Sequence, residues 1–581
     1  VGNSWAKALV YAALLLSIFE ASFQPLIGLD TDIWWHVAAG QRWFQHGLEG
    51  QDPFSFTHPN QKWVHIDWLY QVLVGWIYQN WGVAGLLAAR SLCLLTGCLI
   101  LLHLLRQRPL WIQSLLVYLT ASIWCSSPGV RPAHLSMVAM AGWVWLLEQG
   151  RQGHTRALWW LPALTVLWFN FHVAALAGTL LVFLYSLGHV MESIRQRQPP
   201  QKIWLWIPWA CLLANLINPL GWEMVYYPIH FLIVKSPWSQ IILEVQAPGW
   251  DWPGTWQTRL LLLLAWPGAL VALRQGKWVP LMVSLPITYL MLSTYRHQFQ
   301  MCSCLLPWAL PWPNREDGRG KWPLLTLCAL FALRSLAALQ VQAWDWNGLI
   351  RRETFSHSLA QIARQGKRGL RVFTDMNAGG FFLHQFQGQQ KIFIDSRGDQ
   401  VYNQPHFLSD YFEILQGGSK ALQTLDRHGV EVVINNRLST ANSALFREVL
   451  PRSQDWKLVY ADAVGELYAR PGLASQLKAP RPPAYLVNYR RGLEHLGRQE
   501  WRRAEDFFQQ SLLDYPQFSA SHQGLSQAYL KQDRLDLATE HLAQACLFNP
   551  SDPSLLRAFG ELGYQPNAWL SWLLPFKALG L

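Results

Sequence analysis

Charge is scarce in this chain. Only 14% of its 581 residues are Asp, Glu, Lys or Arg, against roughly a quarter in an average soluble protein, which excludes a chain that is soluble throughout. Cysteine is also scarce. Seven of the eight (Cys93, Cys98, Cys125, Cys211, Cys302, Cys304 and Cys328) fall in apolar runs and Cys546 stands apart, so neither a zinc-type spacing nor a disulfide framework emerges. A small-residue cleavage site is missing near Leu29, and the first apolar run is therefore expected to be a retained anchor, not a signal peptide. Paired broken helices and inverted hydropathy halves are lacking as well, which weakens a transporter reading.

What is abundant is apolar and aromatic: 51% of residues are hydrophobic, with 34 Trp. The mean hydropathy of +0.08 conceals a division, because apolar residues concentrate before residue 345 and the remainder reads as soluble. A helix needs about 20 apolar residues to cross the hydrocarbon core. About eleven spans are expected, near 5–29, 83–105, 109–126, 132–149, 156–170, 172–190, 203–220, 257–274, 278–293, 297–312 and 322–342, whereas 68–81 is short and mixed and reads as an interfacial or re-entrant segment. With the N-terminus inside, every inner turn carries Lys or Arg, from Arg106 and Arg108 to Arg315, Arg319 and Lys321, as the positive-inside rule asks. The net charge of +11 is thus a topology signal and not a nucleic-acid footprint. An odd number of spans places everything after residue 343 on the outer side. The outer turns nevertheless carry Arg131, His172, Lys235, Arg296 and His297. These cations are read either as holding an anionic ligand or as paired with local carboxylates and lipid headgroups.

The densest chemistry lies between Leu29 and Leu69, where the first span ends: D-T-D-I-W-W-H, then D-P-F-S-F-T, then W-V-H-I-D-W-L. Asp30 and Asp32 can accept a proton from a hydroxyl nucleophile or hold a divalent cation, and either can also cap the amphipathic helix that follows. Asp32 and His36 stand one helical turn apart, the spacing of a metal pair, with no third ligand fixed by spacing. Trp35 and its aromatic neighbours fit a sugar face or a membrane interface. Asp52 before Pro53 reads as a fixed turn, and His65 with Asp67 as an outer-face pair open to substrate.

Beyond the membrane part, residues 343–475 alternate β-rich runs (LRVFTD, QKIFIDS, VEVVINN, WKLVYAD, GELYAR) with helical stretches, the pattern of a small α/β domain. Asp375 and Asp395 end two of these runs. Residues 484–565 repeat with a period of 34: Ala504 and Ala538, Ser511 and Ala545, Pro516 and Pro550. Small residues and Pro at that period resemble tetratricopeptide repeats, two full and one partial at 553–565, with an apolar tail at 566–581. The fold expected is an α-helical polytopic membrane domain (1–342), a small extracytoplasmic α/β domain and C-terminal all-α repeats.

A D-x-D at the outer end of the first span, followed by an amphipathic helix, resembles the type-C glycosyltransferases. The three blocks at Asp30, Asp52 and Trp63, the N-P-L-G at 218–221 and the segment Val372–Tyr402 resemble more closely a group of bacterial polytopic membrane proteins, with Asp67 where Glu would be usual. The resemblance implies inverting transfer of a sugar from a polyprenyl-phosphate donor outside the bacterial inner membrane, with a divalent metal ion as a candidate cofactor. It assigns Asp30 or Asp32 to the acceptor hydroxyl and an outer-face cation such as Arg296 to the leaving phosphate. The rival expectation is a non-catalytic membrane scaffold that recruits a protein partner through residues 484–565. The partners expected are membrane lipids, a lipid-linked sugar and this protein, with no nucleic acid.

Overall fold

The computed structural model describes residues 4–23, 32–127, 129–234, 237–250, 252–310, 356–404, 406–436, 443–462 and 464–549, with isolated residues between 329 and 337 and between 555 and 578. The span expected at 322–342 and the partial repeat at 553–565 lie almost wholly outside the described residues.

The apolar runs fold into helices α1 (Ser4–Ser22), α2 (Asp32–His46), α3 (Trp68–Leu104), α4 (Leu110–Cys125), α5 (Pro132–Arg151), α6 (Trp160–Phe171), α7 (Ala175–Arg195), α8 (Lys202–Ala214), α9 (Trp222–Ile233), α10 (Trp238–Ile241), α11 (Thr255–Arg274), α12 (Val279–Ser293) and α13 (Tyr295–Met301). Three of the described helices, Trp68–Leu104, Ala175–Arg195 and Thr255–Arg274, are long and apolar enough to cross a membrane, and Leu110–Cys125, Lys202–Ala214 and Val279–Ser293 are shorter apolar ones.

As expected, residues 68–81 are set off from 83–104: within α3 the helix is interrupted at Gly82 (φ 58°, ψ −149°), a non-helical backbone angle that glycine adopts readily. Two expectations need correction. The connection left between the spans expected near 203–220 and 257–274 is not a plain turn, since α9 and α10 lie within it. Finally, 297–312 is no continuous α-helix, because α13 passes into a 3₁₀ segment, Cys302–Trp308, almost entirely buried.

The ends of the helices segregate. At one end, Arg108 donates to the carbonyls of Pro307 (2.9 Å) and Leu310 (3.0 Å), and Glu192 accepts from the Val279 amide (3.0 Å). At the other end lie Asp32, Arg131, Glu244 and Arg296, linked by ion pairs.

Helix α2 is the layer between the membrane helices and the soluble part. On one side it crosses the first half of α3 backbone to backbone. A Cβ on Gly40 would fall 1.8 Å from the Gln71 carbonyl oxygen, and one on Gly75 would fall 2.7 Å from the Gly40 carbonyl carbon. Gly75→Ala is therefore expected to destabilise by ~1–3 kcal/mol through overpacking, seen as a lower thermal midpoint in detergent. An unchanged midpoint would mean the two helices can part without cost. On its other side α2 inserts Trp34 against Phe381 (5.6 Å, edge-on) and His384 (5.3 Å, stacked) of the helix Met376–Phe386.

Each β-rich run supplies one strand: β1 (Arg371–Phe373), β2 (Lys391–Ile392), β3 (Val432–Asn436), β4 (Lys457–Ala461) and β5 (Gly465–Ala469). They form a mixed sheet of order β2-β1-β3-β5-β4, with β1 parallel to β2 and β3, and β5 antiparallel to β3 and β4. The D-P-F-S-F-T block extends it. Ser55 pairs in parallel with Ile392, the Ile392 amide donates to Phe54 O, and Phe56 N donates back to Ile392 O (both 3.2 Å). Farther along, four helices (Ala484–Gly497, Trp501–Asp514, Ser519–Leu530, Leu535–Phe548) make two hairpins, with Phe508 packed over Gly492 and Gly524. The small residues at the repeat positions, Ala504, Ser511, Ala538 and Ala545, are fully buried, as close helix packing requires. In the apolar tail, the described residues Leu574 and Ala578 pack against Leu542 and Cys546 of the last hairpin.

Candidate functional site

Helix α2 begins at Asp32, which places that carboxylate at the helix N-terminus, where the macrodipole favours negative charge. Its Oδ2 lies 3.5 Å from Arg131 Nη2. Arg131 precedes α5 and also pairs with Glu244, whose other oxygen accepts from Arg296 Nη2 at 3.4 Å. Four residues from four separate segments thus alternate in sign: Asp32, Arg131, Glu244, Arg296. Asp30 and Lys235 lie outside the described residues.

Asp67 adds a carboxyl of a different kind. It stands before α3, buried, and its Oδ1 has no hydrogen-bond partner. Burial raises its pKa from 3.8 to about 8, with Arg296 opposing the shift and Asp32 reinforcing it. The group is therefore protonated through most of the neutral range. Its folded pKa exceeds its unfolded one, so folding takes up a proton between them, and stability is lost as pH rises from about 4 to about 8. Asp67→Asn is expected to remove that fall, its thermal midpoint exceeding wild type by a margin that grows across this range. Parallel curves for the two proteins would contradict a protonated Asp67.

The other predicted residues divide. His36 lies one turn into α2, buried, with its ring stacked on Trp35 at 3.6 Å and Nδ1 unpartnered. Burial lowers its pKa to about 3, partly offset by Asp32 and reinforced by Arg131 and His172. His172 accompanies Arg296 at the same face, its Nδ1 2.6 Å from Ser136 Oγ. His297 follows Arg296 in α13, its Nδ1 buried without a partner. Trp35 and His65 are both buried. Trp35 is buried against Trp63, leaving no open ring face for a sugar, and His65 is spent on Gln71 Oε1 (3.0 Å) and Glu49 O (2.8 Å).

The sequence reading missed the loop that follows β2. Arg397, fully buried, donates to Asp395 from Nε (2.9 Å to Oδ1) and Nη2 (2.7 Å to Oδ2), and from Nη1 to Asp52 Oδ1 (2.6 Å). Its guanidinium sits 4.6 Å from the Trp63 ring, and Tyr402 donates to Asp395 at 3.0 Å. Burial opposes the Arg397 charge, yet Asp395 and Asp52 hold its pKa well above the usual value. Burial would raise the Asp52 carboxyl, but the Arg397 charge and hydrogen bonds from Arg397 and the Phe54 amide keep it below the ordinary range. The next residue but one, Asp399, accepts from Tyr227 of α9 at 2.9 Å and lies within the field of Arg296. The R-G-D-Q-V-Y stretch was visible as part of a resemblance, but nothing local marked it as the clamp between soluble and membrane parts.

A divalent cation does not fit what is described. Asp32 is already turned towards a guanidinium, and no three His, Cys, Asp or Glu side chains converge among the described residues.

No protein-family model and no curated protein matches the chain. Solved structures do. The archaeal oligosaccharyltransferase AglB from Archaeoglobus fulgidus, in complex with an inhibitory peptide and a dolichol-phosphate, aligns with a TM-score of 0.50 at 10% identity, over 76% of this chain and 70% of that one. ArnT from Cupriavidus metallidurans bound to undecaprenyl phosphate aligns with a TM-score of 0.46 at 11% identity, over 83% and 100% respectively. At 10% identity the first of these alignments shows a likeness of fold alone.

Proposed function

We propose that this chain is a type-C glycosyltransferase that moves a sugar from a polyprenyl-phosphate carrier to an acceptor on the outer side of the membrane. The observation that carries this reading is the chain of ion pairs in which Asp32 meets Arg131 and Glu244 links Arg131 to Arg296. It joins a proton acceptor to two cations. In the reaction the acceptor hydroxyl gives its proton to Asp32, or to Asp30. Its oxygen bonds to the anomeric carbon as the carbon–oxygen bond to the carrier breaks, with inversion. The phosphate leaves as an anion beside Arg131 and Arg296, which compensate its charge as it develops.

The surroundings agree with this assignment. Arg108 bonds to the carbonyls of Pro307 and Leu310 at the opposite end of the helices, and a cation there agrees with a cytoplasmic face. About eleven crossings, read from the apolar runs, an extracytoplasmic soluble part, read from the charge bias, and a bacterial inner-membrane location, implied by the resemblance, belong to the same proposal. The hairpins at 484–548 are tetratricopeptide-like and are assigned to a protein partner. The resemblance of the D-x-D block and the fold shared with AglB, a protein solved with a dolichol-phosphate, both favour a lipid carrier. Donor turnover is the test: the purified chain should release polyprenyl phosphate from a polyprenyl-phosphate sugar, and its Asp32→Asn variant should not. Absence of release from every such donor would sink the assignment.

A further inference from the structure

Glu244 holds the position that an anionic ligand of this site would take. It belongs to a short 3₁₀ turn, Leu243–Val245, in the outer segment between α9 and α11. That segment is fastened on both sides. Trp238 packs against Gly398 and donates from Nε1 to Tyr402 O (3.0 Å), and Gln246 O accepts from the Tyr295 amide (2.8 Å). Between these fastenings the Glu244 carboxylate bridges two guanidinium groups, Oε1 to Arg131 and Oε2 to Arg296. Two arginines converging on one carboxylate reproduce the donor set that binds phosphate.

The charge balance points the same way. With Asp67 protonated, the described ionised groups of the chain of ion pairs are Asp32 and Glu244 against Arg131 and Arg296. They sum to zero while Glu244 is in place and to one positive charge once it leaves. Arg296, with 41% of its side chain exposed, is the open side of the pair.

We infer that Arg131 and Arg296 form a phosphate site that Glu244 closes at rest, and that an incoming phosphate group must displace this carboxylate. The inference rests on the transferase reading and adds a resting-state competitor to it. The ligand chemistry is a phosphate ester, supplied by a lipid headgroup or by free phosphate.

The test is equilibrium binding of a short-chain polyprenyl phosphate, and separately of inorganic phosphate, to the full chain in detergent. Wild type, Glu244→Gln and the double variant Glu244→Gln with Arg296→Ala are compared. Glu244→Gln keeps the size but loses the charge and one of the two acceptor oxygens, which weakens the resting contact, so it should bind the lipid about tenfold more tightly, and the double variant should lose that gain. Wild-type binding that Glu244→Gln leaves equal or weaker would overturn the displacement while leaving the transferase reading intact. Failure of both wild type and Glu244→Gln to bind either probe would overturn both. A gain for inorganic phosphate as large as for the lipid would uphold the site and assign it to free phosphate.

Discussion

Replacing Arg397 with methionine is expected to cost the outer assembly ~3–5 kcal/mol, the scale for breaking a buried ion pair by removing one partner. The reason lies in what stays behind. Asp52 and Asp395 would remain with their side chains fully buried, deprived of the guanidinium that both now share. Asp52 belongs to the first outer loop and Asp395 to the soluble sheet, so their repulsion would act where the 54–56 strand adds to β2. Thermal unfolding followed by tryptophan fluorescence, together with protease cutting near residues 50–60, reads both effects. The triple variant Asp52→Asn, Asp395→Asn, Arg397→Met should recover much of the loss, because no buried charge is left unpaired. A midpoint unaffected by Arg397→Met would contradict a clamp at this position. Acid should loosen the same contact: the depressed Asp52 pKa contributes stability above the ordinary carboxylate pKa, and this is lost as pH falls through the folded value.

Asp32→Asn should lower sugar transfer by about 10²–10⁴-fold, the usual contribution of a positioned acid–base group. Asparagine keeps the shape and the helix N-cap preference, so α2 should still form and carrier binding should survive. The loss should therefore fall on kcat far more than on KM. If Asp32 only capped the helix, Asp32→Asn would be nearly silent and Asp32→Ala would cost stability instead of rate. Comparing the two substitutions separates the roles without structural work on either.

Much of this arrangement could be read from the sequence, for reasons that differ by element. The long apolar helices were legible because apolar residues run on for the length of each helix, as in Trp68–Leu104, Ala175–Arg195 and Thr255–Arg274. The five strand runs were legible because β-branched and aromatic residues cluster between turn residues. The partner of the first loop was not. Thr57 bonds to the Phe393 carbonyl 336 residues away, and no local pattern encodes a pairing over that distance. The D-P-F-S-F-T block read as a turn because Asp52 does make one, accepting from the Phe54 and Ser55 amides, and its strand character exists only beside β2. The division between 68–81 and 83–104 was legible, because Gly82 interrupts α3 with a non-helical backbone angle that glycine adopts readily. No local pattern marks Glu244, whose place between two arginines appears only when three connecting segments fold together.

The measurement that tests the central claim most directly is carrier release by the full chain in proteoliposomes supplied with polyprenyl-phosphate sugars. Wild type should release polyprenyl phosphate in step with sugar transfer, and Asp32→Asn should do so at least about a hundredfold more slowly while still binding the carrier. Release at the same rate from both proteins, or from neither, would contradict the account.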